Sequence, residues 1–510
     1  MRVLPCCMAL LCLVTLPSLV QADIVVNTAS DEDTNNASCS LREAITAVNT
    51  QANYNGCVDS DASPTWSKVT FAIAPNAGEQ HLISVSTQLP QVQRPVFIDA
   101  TTQSGTTCTP VPNLRVRIAN TASASFGLWL GTGATGSTIH GLAFTNFVSP
   151  GSAGLQISSD QATVGCVISG MDATGVLARP NFYGIQISGK NAMIGEASVN
   201  AWFPNLISAN KFSNIEVVGD DAIIAGNYIG VDNTGLTPLQ SGYGIQIVAS
   251  GTRVGTRFSD GPVAHQRNII GVVSNKVNSS VDVDLEGASD TIISGNYVGV
   301  GVDGQTVLPI DIGAGIVINS SNNALIGCDG LGDFEDCRNV IAVTDYEAVS
   351  SGNGTTALAI VNNFINVAAD GVTPLANRSA AVTLASDSLV ARNVIRSGST
   401  GTDIALYPPN DHSPTSVFLN AALPRAGGVR MNSSDNCLDD STADGVLEEP
   451  YGTATVTPTV FGRNWWGAAN GPRPAGSGAF ADAAVATTPF STKRSPYCGF
   501  DRIFANGFDG

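Results

Sequence analysis

The chain has 510 residues, of which only 13% are charged, against about 25% in ordinary globular domains. Gly numbers 53, Pro 25 and Asn 39, and apolar residues at 43% supply enough core to exclude wholesale disorder. Lys and Arg number 24 against 42 Asp and Glu, and the resulting charge of −18 argues against nucleic acid or an anionic membrane as partner.

Residues 1–22 hold one basic residue (Arg2), an apolar run from Val3 to Val20, and Val20-Gln21-Ala22 at a break. This pattern predicts a secretory signal peptide cut after Ala22 and a secreted or cell-surface protein. Pro5 and Pro17 interrupt the run, which falls short of the ~20 residues of a comfortable membrane span. No later segment is apolar enough to span a bilayer, and the mature chain is expected to be a monomer that is soluble or peripherally attached.

Cleavage at Ala22 removes Cys6, Cys7 and Cys12 and leaves Cys39, Cys57, Cys108, Cys166, Cys328, Cys337, Cys437 and Cys498. An even number in an exported chain predicts disulfides. Proximity alone suggests Cys39–Cys57, Cys328–Cys337 and Cys437–Cys498, which leaves Cys108–Cys166. Between the first two, Ser40-Leu41-Arg42-Glu43 has the form of a capping box, with Leu41, Ala44, Ile45 and Val48 on one helical face. Residues 23–90 are therefore expected to form a cap over the open end of the next segment.

That segment is a repeat. Leu155-Gln156-Ile157, Ile185-Gln186-Ile187, Ile215-Glu216-Val217 and Ile245-Gln246-Ile247 recur every 30 residues. Leu128-Trp129-Leu130 fits one unit earlier, and Val281-Asp282-Val283-Asp284-Leu285, Ile316-Val317-Ile318, Ala348-Val349, Val382-Thr383-Leu384 and Ile404-Ala405-Leu406 come later at looser intervals. A longer period overlays this one. Gly226-Asn227-Tyr228-Ile229-Gly230 returns as Gly295-Asn296-Tyr297-Val298-Gly299 and Asn363-Phe364-Ile365, and Arg267-Asn268-Ile269-Ile270 returns as Arg338-Asn339-Val340-Ile341 and Arg392-Asn393-Val394-Ile395. Short strands that alternate inward and outward, Gly and Asn at bends, and no helical period predict an all-β chain folded as a parallel β-helix over 91–430. Asn at one place on successive coils is expected to stack its amide in a ladder. Residues 431–510 are then a C-terminal cap and tail, with Asn464-Trp465-Trp466-Gly467 covering the last coil.

Cys39-Ser40-Leu41-Arg42-Glu43-Ala44-Ile45 resembles the CSLREA-domain proteins, and the coil motifs and the Asn464–Gly467 segment look similar to those of the same group. The resemblance implies a right-handed parallel β-helix and export from a bacterium. It supplies no catalytic residue set.

Candidate chemistry must come from the outward rows. In the inward register of Leu155, Ile185, Ile215 and Ile245, the side chains of Gln156, Gln186, Glu216 and Gln246 project in one line, with Asp282 or Asp284 next. Amides that donate and accept suit sugar hydroxyls or one another. Glu216, Asp282 and Asp284 are the candidates for a carboxylate pair, and Arg253, Arg257 or Lys276 for a lyase base. The four His form no zinc spacing, and GHG, NTD and DPHD motifs are absent from the sequence. The acidic loop between Cys328 and Cys337 has carboxylates that Ca²⁺ would accept but not the spacing of a known Ca²⁺ loop, so no cofactor is expected. The expectation is a non-catalytic solenoid offering a polar face to glycans or a cell surface. The alternative is a polysaccharide lyase or glycoside hydrolase.

Overall fold

The computed structural model describes residues 23–59, 66–75, 80–197, 202–256, 263–273, 281–283, 288–308, 313–328, 337–344, 347–352, 355–375, 381–384, 388–396, 402–406, 431–434, 436–438, 444–448, 464–466, 468–477, 480–481, 487–488 and 490–493. The signal segment, Asp284, Arg257, Lys276, Cys498 and the acidic residues between Cys328 and Cys337 lie outside these.

Three long sheets of 13, 12 and 12 strands run the length of the molecule, each strand pairing in parallel with its counterpart one coil away. The chain is a parallel β-helix. The four 30-residue triplets fall in the third sheet, where Leu155 pairs with Ile185, Ile185 with Ile215, and Ile215 with Ile245. All four point inward and are fully buried. The sheets run past the boundaries expected from the sequence. Ile24–Val26 and Ser67–Phe71 already belong to the first sheet, and Met431–Ser434, Cys437–Leu438 and Asp444–Glu448 extend the three sheets beyond residue 430. Edge pairing, not motif density, decides where such a solenoid starts and stops.

The helix Leu41–Thr50 caps the first coils. Glu43 is fully buried and accepts from the backbone N–H groups of Ser40 and Thr34 and from Asn55 Nδ2, each at 2.9 Å. Arg42 grips Asp31 through Nε and Nη2 at 2.9 and 2.8 Å and donates to the Thr87 and Gln88 carbonyls. The motif at residues 39–44 is thus used up in holding the cap. Cys39–Cys57, Cys108–Cys166 and Cys328–Cys337 are disulfides. Cys437 is also disulfide-bonded.

The corner between the first and second sheets explains both long-period motifs. Asn205, Asn227, Asn268, Asn296, Asn339, Asn363, Asn393, Asn436 and Asn464 are all fully buried, and each but the last donates from Nδ2 to Oδ1 of the next at 2.8–3.1 Å. Nδ2 of Asn227 also donates to the Ile194 carbonyl, and that of Asn268 to the Ile224 carbonyl, so these amides keep both donors occupied. The sharp bend itself sits one residue earlier. Gly226 and Gly295 have φ of 75° and 73°, and a Cβ at Gly226 would run into the His265 carbonyl. Of the Gly and Asn expected at the bends, it is the Gly that bends in these two motifs: neither Asn227 nor Asn296 has positive φ, and their work is the ladder. After each ladder Asn come one residue outward and one inward. Tyr228, Ile269, Tyr297, Val340 and Phe364 form a second apolar layer outside the second sheet, while Ile229, Ile270, Val298, Ile341 and Ile365 fill the core. The Arg ahead of the ladder Asn lies over the aromatic ring one coil on: Arg267 over Tyr297 at 4.2 Å and Arg338 over Phe364 at 4.1 Å.

The second sheet is therefore covered on its outer face. Tight turns anchored by Asp172, Asp232, Asp303 and Asp370 project beyond it, with Asp232 Oδ1 accepting from Thr234 Oγ1 at 2.7 Å and Asp303 Oδ1 from Thr306 N at 2.9 Å. At the other end Asn464 receives the last rung of the ladder, and Trp466 is fully buried in the core. The terminal Trp pair closes the last coil as expected, and only Trp465 retains partial exposure.

Candidate functional site

The outer face of the third sheet carries the row anticipated from the sequence. Trp129, Gln156, Gln186, Glu216, Gln246 and Asp282 are successive partners in register. Glu216 and Asp282 thus share a row, two interstrand steps apart, which is about 9.5 Å along the backbone. Beyond Asp282 the row continues as Val317, Ser350 and Thr383 and loses its amides.

The amides do not form a continuous ladder. Gln156 is buried at 6% exposure and turns its Nε2 to Ser188 Oγ at 3.3 Å. Gln186 instead donates to Glu216 Oε2, and the Tyr183 hydroxyl donates to the same carboxylate. Burial pushes the Glu216 carboxyl above the ordinary carboxylate range, against the opposing pull of its two hydrogen bonds from Gln186 and Tyr183. Burial first, and then the charge and hydrogen bond of Glu216, push the Tyr183 hydroxyl up to about 12. The Oε1 atoms of Gln156 and Gln246 are buried and accept no hydrogen bond.

A second row runs beside the amides. Phe126, Ala153, Tyr183, Ser213 and Tyr243 pair in register two residues before the inward Leu or Ile of each coil. Phe182 and Phe212, at the bend just before their strands, stack face to face at 5.3 Å and 7°. Tyr183 meets both edge-on at 4.9 and 5.4 Å, and Phe212 meets Tyr243 at 5.6 Å. Phe126 and Trp129 form a separate edge-to-face pair at 5.2 Å, and Trp129 Nε1 donates to Ser158 Oγ at 3.2 Å. All six rings are partly exposed. One side of the amide row is thus an aromatic wall, and the other is bordered by the hydroxyls of Ser158 and Ser188, 3.2 Å apart.

The sequence reading missed this wall. Its signal was present as an aromatic-Gly dipeptide directly before the inward residue, in Phe126-Gly127, Tyr183-Gly184 and Tyr243-Gly244. The Gly is required because its position packs inward. A Cβ on Gly127 would strike the Phe144 and Phe147 rings, and one on Gly184 the side chains of Asn210 and Ile207. Two successive positions, Gly184 and Ile185 in one such strand, are therefore buried, and the preceding ring is left partly exposed.

Elsewhere, Asp99 and His140 lie side by side on the first sheet, with Lys68 within 3.7 Å of Asp99 and His140 between the rings of Phe97 and Phe203. His265 is stacked on Trp202 at 4.7 Å. Arg253 projects from the first sheet, away from the Glu216 row, so it does not meet Glu216 as a lyase base would have to. No cluster of three or more His, Cys, Asp or Glu able to hold a metal ion exists among the described residues, and no helix there is long and apolar enough to cross a membrane.

No family model and no curated protein matches the chain. Among solved structures, the A-module of a mannuronan C-5 epimerase of Azotobacter vinelandii is similar at a TM-score of 0.44 and 11% identity, over 83% of this chain and 97% of that one. Tailspike protein 2 of an Escherichia coli O157:H7 bacteriophage gives 0.38 and 9%, over 69% of this chain and 44% of that one. An alginate lyase from Paenibacillus sp. gives 0.32 and 14%, over 69% and 93%.

Proposed function

We propose that this is an exported, non-catalytic solenoid, monomeric and needing no cofactor, that binds a glycan along the outer face of its third sheet. One observation carries the reading: an aromatic wall from Phe182 to Tyr243 flanks a row of amides, with hydroxyls opposite. Rings offer apolar faces to the C–H faces of sugars, and amides and hydroxyls match sugar hydroxyls as donor and acceptor. Export rests on the signal-type sequence at residues 1–22 and agrees with the disulfides. The resemblance of residues 39–45 to the CSLREA-domain proteins belongs to the same reading. Affinity electrophoresis of the full mature chain through gels cast with soluble polysaccharides tests it. Retardation by at least one polysaccharide, relieved in Tyr183→Ala, is the expected result, and migration unaffected by every polysaccharide would overturn it.

A second reading, a glycoside hydrolase or lyase, has one observation in its favour, the half-buried Glu216 with its raised pKa. Inverting hydrolases hold two carboxyls roughly 6.5–9.5 Å apart, and the backbone spacing of Glu216 and Asp282 sits at the upper edge of that range. No Lys or Arg occupies the described row to serve a lyase as base. Glu216→Gln and Asp282→Asn are expected to leave any detected glycan turnover intact, and a hundredfold loss in either with the fold preserved would establish the enzyme.

A further inference from the structure

The wall is not uniform along the solenoid axis. In the row that starts at Phe126, large and small residues alternate coil by coil: Phe126, Ala153, Tyr183, Ser213, Tyr243. Within this row rings recur at every second coil, about 9.5 Å apart, with a buried Ala or Ser between them, while the Phe212 ring at the neighbouring bend stands between Tyr183 and Tyr243, 5.4 and 5.6 Å from them. The amide row beside them advances by one coil at a time. A ligand that uses both rows must run parallel to the axis. It must also present equivalent faces at every second unit and hydroxyls at every unit.

An extended β-linked polysaccharide has this symmetry. Each sugar is flipped relative to its neighbour, so the same ring face returns at every second residue while equatorial hydroxyls line both edges throughout. A compact or helically coiled glycan does not keep its faces in step with a straight row. Five consecutive coils, from the strand Phe126–Leu130 to the strand Tyr243–Ile247, carry the pattern, a length that suits several sugars in succession.

Charge selects within that class. The paired positions on the two rows hold two ionisable acids, Glu216 and Asp282, and no Lys or Arg among the described residues. The border adds Ser158, Ser188, the exposed Val218 and, next to Phe212, the exposed Lys211. A polyuronate or sulfated glycan laid on this face would bring its anions against the Glu216 carboxylate on a chain of net charge −18, with Lys211 the cation at its edge beside Phe212. Resting on the glycan-binding reading above and deepening it, we infer that the outer face of the third sheet takes a neutral, extended β-linked glycan running along the solenoid axis, with alternate sugars stacked on the rings spaced two coils apart.

The test uses isothermal titration of the full mature chain at about 0.15 M salt, near physiological ionic strength. The probes are cellohexaose and chitohexaose as neutral β-1,4 oligomers, cellobiose as a short control, a maltohexaose as the coiled neutral isomer, and a mannuronate hexamer as the acidic one. Binding of at least one neutral β-1,4 hexamer, at least about tenfold tighter than the dimer, the coiled isomer and the acidic hexamer, is expected. Tyr183→Ala and Tyr243→Ala should each weaken it by about three- to tenfold, while Lys190→Ala, outside the two rows, leaves it unchanged. Equal or tighter binding of the acidic or coiled hexamer overturns the inference but leaves glycan binding standing. Neutral binding that neither Tyr substitution weakens places the ligand elsewhere and also overturns it. Binding of none of these, together with no retardation in the polysaccharide gels, removes the glycan reading itself.

Discussion

The Asn row at the first corner and the outward row of the third sheet are both polar, both run along the solenoid axis and are both laid down coil by coil, yet they are built on opposite rules. At the corner every rung from Asn205 to Asn464 is the same residue, fully buried, and linked in sequence to the next. On the outer face neighbouring rungs differ: Gln156 turns to Ser188, Gln186 to Glu216, and the Oε1 of Gln246 accepts no hydrogen bond. Identity from rung to rung lets each amide serve the next, which secures the stack. Variation leaves hydrogen-bonding capacity and half-exposed rings that the fold does not consume. Repetition here marks what holds the molecule together, and broken repetition marks where a ligand can act.

The largest effect that could break this contrast is at a rung. Asn268→Val removes the acceptor for Asn227 N and Nδ2 and the donor to the Ile224 carbonyl and to Asn296, and should cost about 1–3 kcal/mol in chemical denaturation. The same loss is expected for Asn296→Val, whereas an unchanged midpoint in both would deny the ladder a structural role. Truncation on the outer face should be milder for stability: Tyr243→Ala removes an edge-to-face contact with Phe212 and should cost about 1 kcal/mol or less.

Acid–base behaviour sharpens the comparison at smaller amplitude. The folded-state pKa of Glu216 is raised, so its contribution is fully present below the ordinary carboxylate range and is lost as pH rises through the folded value. Wild type measured against Glu216→Gln should therefore lose relative stability as pH climbs from about 4 upward. Asp232, Asp303 and Asp370 behave in the opposite sense. Burial alone would raise their pKa values, but hydrogen bonds from Thr hydroxyls and turn N–H groups prevail and hold them below the ordinary range. Their contribution is present above about pH 4 and lost as pH falls through the lowered values, so Asp303→Asn should flatten the acid limb of the stability profile. The smallest effect is at the Lys190–Asp220 pair, whose exposed partners lie 2.9 Å apart. Lys190→Ala should leave the melting temperature unchanged, because solvent screens such pairs.

Much of this was legible in the sequence, and the reasons are local. A triplet such as Ile185-Gln186-Ile187 fixes which residue points inward, and a 30-residue interval without drift fixes the register, so the core rows and the line from Gln156 to Gln246 can be read from the chain alone, whereas the longer next coil left Asp282 and Asp284 open until strand pairing selected Asp282. The disulfides Cys39–Cys57 and Cys328–Cys337 are legible from proximity because each closes a short loop. The ladder was only half legible. Asn227 and Asn296 read as one motif and Asn268 and Asn339 as another, and only pairing in space shows that the two motifs are alternate rungs of one stack. The aromatic wall was missed because Phe182, Tyr183, Phe212 and Tyr243 precede the repeating triplet. Tyr183 and Tyr243 are partly exposed beside two successive buried positions, Gly184-Ile185 and Gly244-Ile245, which period-2 alternation does not encode. The ends were misplaced for a related reason: strands such as Ile24–Val26 join the first sheet through edge pairing without carrying any repeat motif.

The contrast between the two rows is tested most directly by measuring, on one preparation of each variant, the melting temperature and the affinity for a neutral β-1,4 hexasaccharide in Asn296→Val and Tyr183→Ala. The account predicts a crossed result: Asn296→Val melts at a clearly lower temperature yet binds normally while folded, and Tyr183→Ala melts close to wild type and binds about three- to tenfold more weakly. Normal binding in Tyr183→Ala, or lost binding in the folded Asn296→Val, would contradict the assignment of structure to the repeated row and ligand to the broken one.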